Sequence, residues 1–312
     1  MRYPTILVLL WFMSCSQNQK VLREVDGAVI RFDLQGHRGA RGIAPENSIP
    51  GFRKALDLNV TTLELDLAVT KDSVVILSHE PWFSSLFCLD SLGLNIPETE
   101  EMKFNIFQMT YDQVKKFDCG SIGHPRFPEQ KSEKTFKPKL IDVFRSSEEV
   151  TSQKGNVSVS YNIEIKSQPR GDNLYHPEPK AFSDLVYRTI DGVIPWDRIT
   201  IQSFDFRVLR YFHETYPEVT LAALVENDRG INGNLDELGF NPDIYSCYHK
   251  LLDQEKIEIL QNKKILVIPW TVNEIADMEQ LYDWGVDGLI TDYPNRFWES
   301  KISMEQVIDY LD

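Results

Sequence analysis

Thr62-Leu63-Glu64-Leu65-Asp66-Leu67 alternates apolar and polar side chains with a period of two. Successive residues of a β-strand point to opposite faces, so Glu64 and Asp66 share one face and the leucines take the other. Asn162-Ile163-Glu164-Ile165-Lys166 repeats the pattern, setting a carboxylate and an ammonium on one face between isoleucines. Carboxylates side by side repel, and burying them uncompensated is costly. The uniformly apolar neighbours argue against a solvent-facing edge strand, for which acidic alternation would be harmless. A divalent cation is the natural partner of such a face, because hard oxygen ligands suit Mg²⁺ or Ca²⁺.

Outward from these two stretches, short β-rich runs recur at 29–34, 62–67, 161–165, 199–202, 220–224, 244–246, 265–268 and 288–290. Amphipathic segments at 48–58, 180–190, 206–215, 251–261 and 275–284 lie between them. Strands alternating with helices predict a parallel sheet built from β–α units, and eight of them fit a closed (β/α)₈ TIM barrel. A doubly wound open sheet is the alternative, but no GxGxxG follows the first strand. The stretch of about 82–139 interrupts the rhythm with weak periodicity and many turn formers. It is too long for a simple loop. It reads as an insertion on the barrel rim, between the second strand region and the third strand.

The polar residues at strand ends form the rest of the pattern. Gly36-His37-Arg38-Gly39 closes the first strand, and Pro45-Glu46-Asn47-Ser48 opens a helix, with Asn47 or Ser48 as N-cap. His79 follows the apolar run Val74-Val75-Ile76-Leu77. Gln202-Ser203-Phe204, Pro269-Trp270-Thr271-Val272-Asn273 and Thr291-Asp292-Tyr293-Pro294 each follow a strand, where packing and capping are the commoner uses.

Together these motifs resemble the glycerophosphodiester phosphodiesterase family. The resemblance rests on HRG near the start, PEN eight residues later, the E-x-D strand, TKD, SH after an apolar strand, E-I-K, WTVN and GLITDYP, spanning about 35–294. It implies a metal-dependent hydrolase that converts glycerophosphodiesters to glycerol 3-phosphate and an alcohol. Glu64, Asp66 and Glu164 would hold one Mg²⁺ or Ca²⁺, and His37 and His79 would be the general acid and base. Arg38 and Lys166 would contact the phosphate. Glu46 would orient Arg38 or His37, and Trp270 would pack on the glycerol carbons. Glu80 stands where many members carry Asp, and 82–92 lacks their usual continuation, which leaves the substrate open. A phospholipase C- or D-like phosphodiester lyase and a non-catalytic lipoprotein that binds a phosphorylated ligand are the competing readings.

Composition bounds the remaining possibilities. The 312 residues are 42% hydrophobic and 26% charged, with a net charge of −14. No basic run could follow a nucleic-acid backbone, so a nucleic-acid partner is not expected, and the resemblance implies a small-molecule glycerophosphodiester. Arg2 and the apolar run 5–13 read as a signal peptide, too short to span a membrane. Ser14-Cys15 after that run resembles a bacterial lipoprotein processing site, although Phe12 departs from the usual leucine. The expected organisation is a signal peptide at 1–14, a linker at 15–30 and the barrel at 31–312. The mature protein would be exported to the cell envelope, meeting the membrane only through a lipid anchor at Cys15. Cys88, Cys119 and Cys247 lack the CxxC spacing of a zinc site. An oxidising compartment would permit a Cys88–Cys119 bridge, with buried free thiols as the alternative.

Overall fold

A computed structural model describes residues 22–25, 28–154 and 158–302. Eight parallel strands form the barrel: β1 (Asp33–Gly36), β2 (Thr62–Val69), β3 (Ser160–Ile165), β4 (Ile199–Ser203), β5 (Thr220–Val225), β6 (Ile244–Cys247), β7 (Leu266–Val267) and β8 (Gly288–Thr291). They are hydrogen-bonded in the order β7-β6-β5-β4-β3-β2-β1-β8. Backbone bonds from Asp287 to Val267, Ile290 to Pro269 and Val272 to Ile290 stitch the remaining seam. The barrel is therefore nearly closed, as the alternation of strands and helices requires.

The helices that cover it are α1 (Ile49–Asp57), α2 (Leu140–Gln153), α3 (Pro179–Ile190), α4 (Phe206–Thr215), α5 (Gly230–Leu238), α6 (Gln254–Asn262), α7 (Ile275–Trp284) and α8 (Pro294–Glu299). Ser48 caps α1, its Oγ accepting from Gly51 N at 3.1 Å. All eight residues of β2 are buried. Its leucines join the main core with Phe52, Phe144 and Ile163, so the acidic face turns inward.

Three features depart from the sequence reading. The first barrel strand begins at Asp33 rather than at 29, and Ala28–Arg31 instead pairs antiparallel with Leu22–Val25. Part of the stretch read as a linker is thus a hairpin; β-branched Val29 and Ile30 suit either strand, and the partner decides. Helices α2, α5 and α8 were not among the segments expected to be helical. The α2 stripe uses Ser147 and Thr151 where apolar residues would announce it, and α5 carries Gly230, Gly233 and two asparagines. Residues 1–21, which include the signal-peptide segment and Cys15, lie outside the described residues.

The insertion has its own small core. Phe83, Phe87, Cys88, Ile106, Val114 and Phe117 pack together against Ala68 and Ile76. Cys88 and Cys119 are bonded, closing a loop with a sequence separation of 31, while Cys247 is free and buried. Cross-linking a loop of that length restricts the unfolded chain by about 3–4 kcal/mol. A Cys88→Ser/Cys119→Ser protein is therefore expected to unfold at lower urea concentration than the oxidised parent, and reductant should affect only the parent.

Candidate active site

Strand register places the acidic residues together. In the β2–β3 pairing Asp66 lies opposite Glu164, and in the β3–β4 pairing Glu164 lies opposite Gln202. Glu64, Asp66 and Glu164 are all buried and each offers an oxygen within 4.8 Å of the others. Surrounding donors orient them. Gln202 Nε2 donates to Glu64 Oε1 at 2.8 Å, and Asn47 Nδ2 donates to Asp66 Oδ2 at 2.8 Å.

The turn after β1 supplies the first histidine and one cation, Arg38, and Lys166 follows β3. A side chain at Gly36 would sit 2.2 Å from the Gly39 carbonyl oxygen, and Gly39 has a φ of +90°, so this turn needs both glycines. Arg38 itself has a φ of 51°. Its backbone N–H donates to Glu64 Oε2 at 2.8 Å, while its Nη1 donates to Glu46 Oε1 at 2.9 Å. Its Nε lies 3.2 Å from Asp66 Oδ2. Lys166 Nζ lies 3.0 Å from Glu164 Oε1 and 3.9 Å from Asp66 Oδ1. Two cations thus lean on three carboxylates, offsetting much of their repulsion.

Both histidines bind a carboxylate through Nδ1. His37 Nδ1 is 2.6 Å from Asp292 Oδ1, and its Nε2 is 3.9 Å from Glu64 Oε2. His79 Nδ1 is 2.6 Å from Glu80 Oε1. Burial, then the charge of Arg41, lowers the His37 imidazole to about 4 against the raising pull of Asp292. Burial alone would raise Glu80, but the hydrogen bond and charge of His79 hold it at about 2.

The carboxylates titrate in opposite directions. Glu64 is raised well above the usual range by burial and by the charge of Asp66. Glu164 is raised by burial and by Asp66, although Lys166 opposes the shift. Asp66 is also penalised by burial, yet Arg38, His79 and Lys166 hold it well below its ordinary value. A face that strains to keep three negative charges is suited to a divalent cation. Its all-oxygen donor set fits Mg²⁺ or Ca²⁺.

These groups open on one cavity of about 230 Å³, whose lining includes His37, Arg38, His79, Glu64, Glu164, Lys166, Phe204 and Trp270. Asp66 on β2 and Glu46 in the loop before α1 both contact Arg38. Trp270 is anchored by its Nε1, which donates to Ser246 O at 2.9 Å, and meets Phe204 edge-on at 5.4 Å. All nine residues singled out in the sequence thus fall in or directly against this site. Glu46 contacts Arg38; no bond from it to His37 is present among the described residues.

Comparison with known proteins gives the family and the fold. The model of the glycerophosphoryl diester phosphodiesterase family matches residues 37–296. The chain belongs to this family. A Bacillus subtilis (strain 168) glycerophosphodiester phosphodiesterase is 29% identical over 275 residues, covering 85% of each chain. A Rattus norvegicus lysophospholipase D is 23% identical, covering 84% of each. Among solved structures, a Silicibacter pomeroyi DSS-3 protein assigned to the family superposes with a TM-score of 0.76 at 25% identity, covering 88% of this chain and 94% of that one. An Oleispira antarctica phosphodiesterase, solved with sn-glycerol-3-phosphate, shares the fold with a TM-score of 0.65 at 19% identity, covering 89% and 96%. As a glycerophosphoryl diester phosphodiesterase family member, the chain is a phosphoric diester hydrolase.

Several site residues had no distinct signal in the sequence. Of the two N-cap candidates Asn47 and Ser48, Ser48 caps the helix and Asn47 binds Asp66. Gln202 and Asp292 sit in segments where capping is the commoner use, and Arg41 stands in no motif. What marks Gln202 is its position on the inward face of β4 in register with Glu164, which only the sheet pairing reveals.

Proposed function

We propose that this protein hydrolyses glycerophosphodiesters to glycerol 3-phosphate and an alcohol, using a divalent cation and histidine acid–base chemistry. The observation that carries this reading is the meeting of Glu64, Asp66 and Glu164 with both histidines and two cations at a single cavity. Glu64, Asp66 and Glu164 would hold the ion, which when bound neutralises charge on the phosphate oxygens. Arg38 and Lys166 would contact the phosphate as fixed positive charges at the cavity wall. One histidine takes a proton from the attacking oxygen as the new P–O bond forms. The other returns a proton to the departing alkoxide as the old bond breaks. Trp270 and Phe204 offer an apolar wall to the glycerol carbons.

The same reading extends to location. Arg2, the apolar run 5–13 and Cys15 support export and lipid anchoring at the cell envelope, so that small phosphodiesters would be met outside the cytoplasm. Similarity to a lysophospholipase D supports a second reading, in which the glycerophosphodiester still carries an acyl chain.

Product analysis tests the proposal. With Mg²⁺ or Ca²⁺ present, glycerophosphocholine, -ethanolamine or -inositol should yield glycerol 3-phosphate and the free alcohol. A stable cyclic phosphate as final product would instead make the enzyme a lyase. Turnover confined to acylated substrates would favour the second reading.

A further inference from the structure

We infer that Asp292 is a positioning residue for His37: it fixes the imidazole as the Nδ1–H tautomer and leaves Nε2 as the one atom that exchanges protons with the substrate. The inference rests on the hydrolase reading above, but its evidence is the hydrogen-bond network at the β8 end of the barrel.

Asp292 is 1% exposed and surrounded by donors. His37 Nδ1 and Arg41 Nε face Oδ1 at 2.6 and 2.9 Å. Arg41 Nη2 and Asn273 Nδ2 face Oδ2 at 3.1 and 2.8 Å. An ionised carboxylate only accepts, so a neutral His37 must carry its proton on Nδ1. The ring then points Nε2 toward the acidic face, 3.9 Å from Glu64 Oε2. The main chain fixes the other end of the pair, since His37 N donates to Thr291 O at 2.9 Å.

Arg41 is itself clamped by the insertion. Its guanidinium lies 4.6 Å from the centre of the Phe127 ring, and its carbonyl accepts from Gln130 Nε2 at 2.7 Å. The orienting carboxylate is therefore held from both sides, by Asn273 on the barrel and by Arg41 beneath the insertion.

The network also dictates what an amide would do at position 292. Asn273 cannot turn over, because its Oδ1 accepts from Asp292 N at 3.0 Å and from Thr291 Oγ1 at 3.3 Å. Its Nδ2 must then keep facing an oxygen at the Oδ2 position. In an Asp292→Asn protein the new NH₂ group takes the place of Oδ1, where it faces one fixed donor, Arg41 Nε, rather than the two at Oδ2, Arg41 Nη2 and Asn273 Nδ2, and it donates to His37 Nδ1. The tautomer inverts, Nε2 becomes protonated, and the lone pair leaves the cavity.

The test combines kinetics with ¹⁵N spectra of histidine-labelled protein, His37 being assigned by its loss in His37→Gln. The wild type should show His37 protonated at Nδ1, and Asp292→Asn should show it protonated at Nε2. With inversion, kcat should fall about 100-fold while KM stays within about twofold, a split that loss of substrate binding would not give. A wild-type His37 protonated at Nε2 overturns the inference, and so does a folded Asp292→Asn protein with unchanged kcat. If the variant does not fold, the wild-type spectrum still decides. If the wild type turns over no glycerophosphodiester, the hydrolase reading fails while the spectra continue to test the positioning of His37.

Discussion

Replacing His79 by alanine is expected to lower kcat by roughly 10²- to 10⁴-fold, the usual worth of a positioned acid or base. The substitution should fold, because the side chain is 30% exposed and its hydrogen bond goes to the adjacent Glu80, itself 31% exposed. Removing this partly exposed ring leaves Glu80 still open to water, with the charges of Arg38 and Lys137 still acting on it. KM for a glycerophosphodiester should change little, since Arg38 and Lys166 remain to bind the phosphate. His37→Ala should lose activity to a similar degree, but there the buried Asp292 loses a hydrogen bond, so stability must be measured alongside. Undiminished turnover in either protein would remove that histidine from the acid–base pair.

The second large effect concerns the cation. Stripping it with a chelator should abolish turnover, and Mg²⁺ or Ca²⁺ should restore it. The sign of the accompanying pH dependence follows from the buried glutamates. Glu64 and Glu164 have raised folded-state values, so the metal-free fold tolerates them best when they are protonated. Stability present at low pH is then lost as pH rises through those raised values. A bound cation needs the deprotonated forms and relieves their repulsion, so its stabilising effect grows with pH. The thermal midpoint of the metal-free protein should therefore fall relative to that of the loaded protein as pH rises above the ordinary carboxylate range. In Glu64→Gln that gap should shrink, because a raised group and a would-be ligand of the ion are removed together.

The acidic face was legible because period-two alternation is local: Leu63, Leu65 and Ile163 mark the outward side, and Glu64, Asp66 and Glu164 fall opposite. The barrel was legible for the same reason, each strand carrying its own pattern. Asp292 was not, since its partner His37 is 255 residues away and the two meet only when β8 closes beside β1. Arg41 is equally silent, an arginine in a turn whose meaning comes from Phe127 folding over it. Helix α5 escaped because its glycines and asparagines disfavour a helix in isolation, and burial of Leu235 and Leu238 overrides that preference.

The most direct test of the whole account follows release of glycerol 3-phosphate from glycerophosphocholine, -ethanolamine and -inositol by one purified preparation, measured as isolated, after chelation and after reloading with Mg²⁺ or Ca²⁺. Release from at least one substrate is expected, lost on chelation and recovered on reloading, with none of this in Glu64→Gln. Full activity after chelation, in protein shown by elemental analysis to hold no divalent ion, would contradict it.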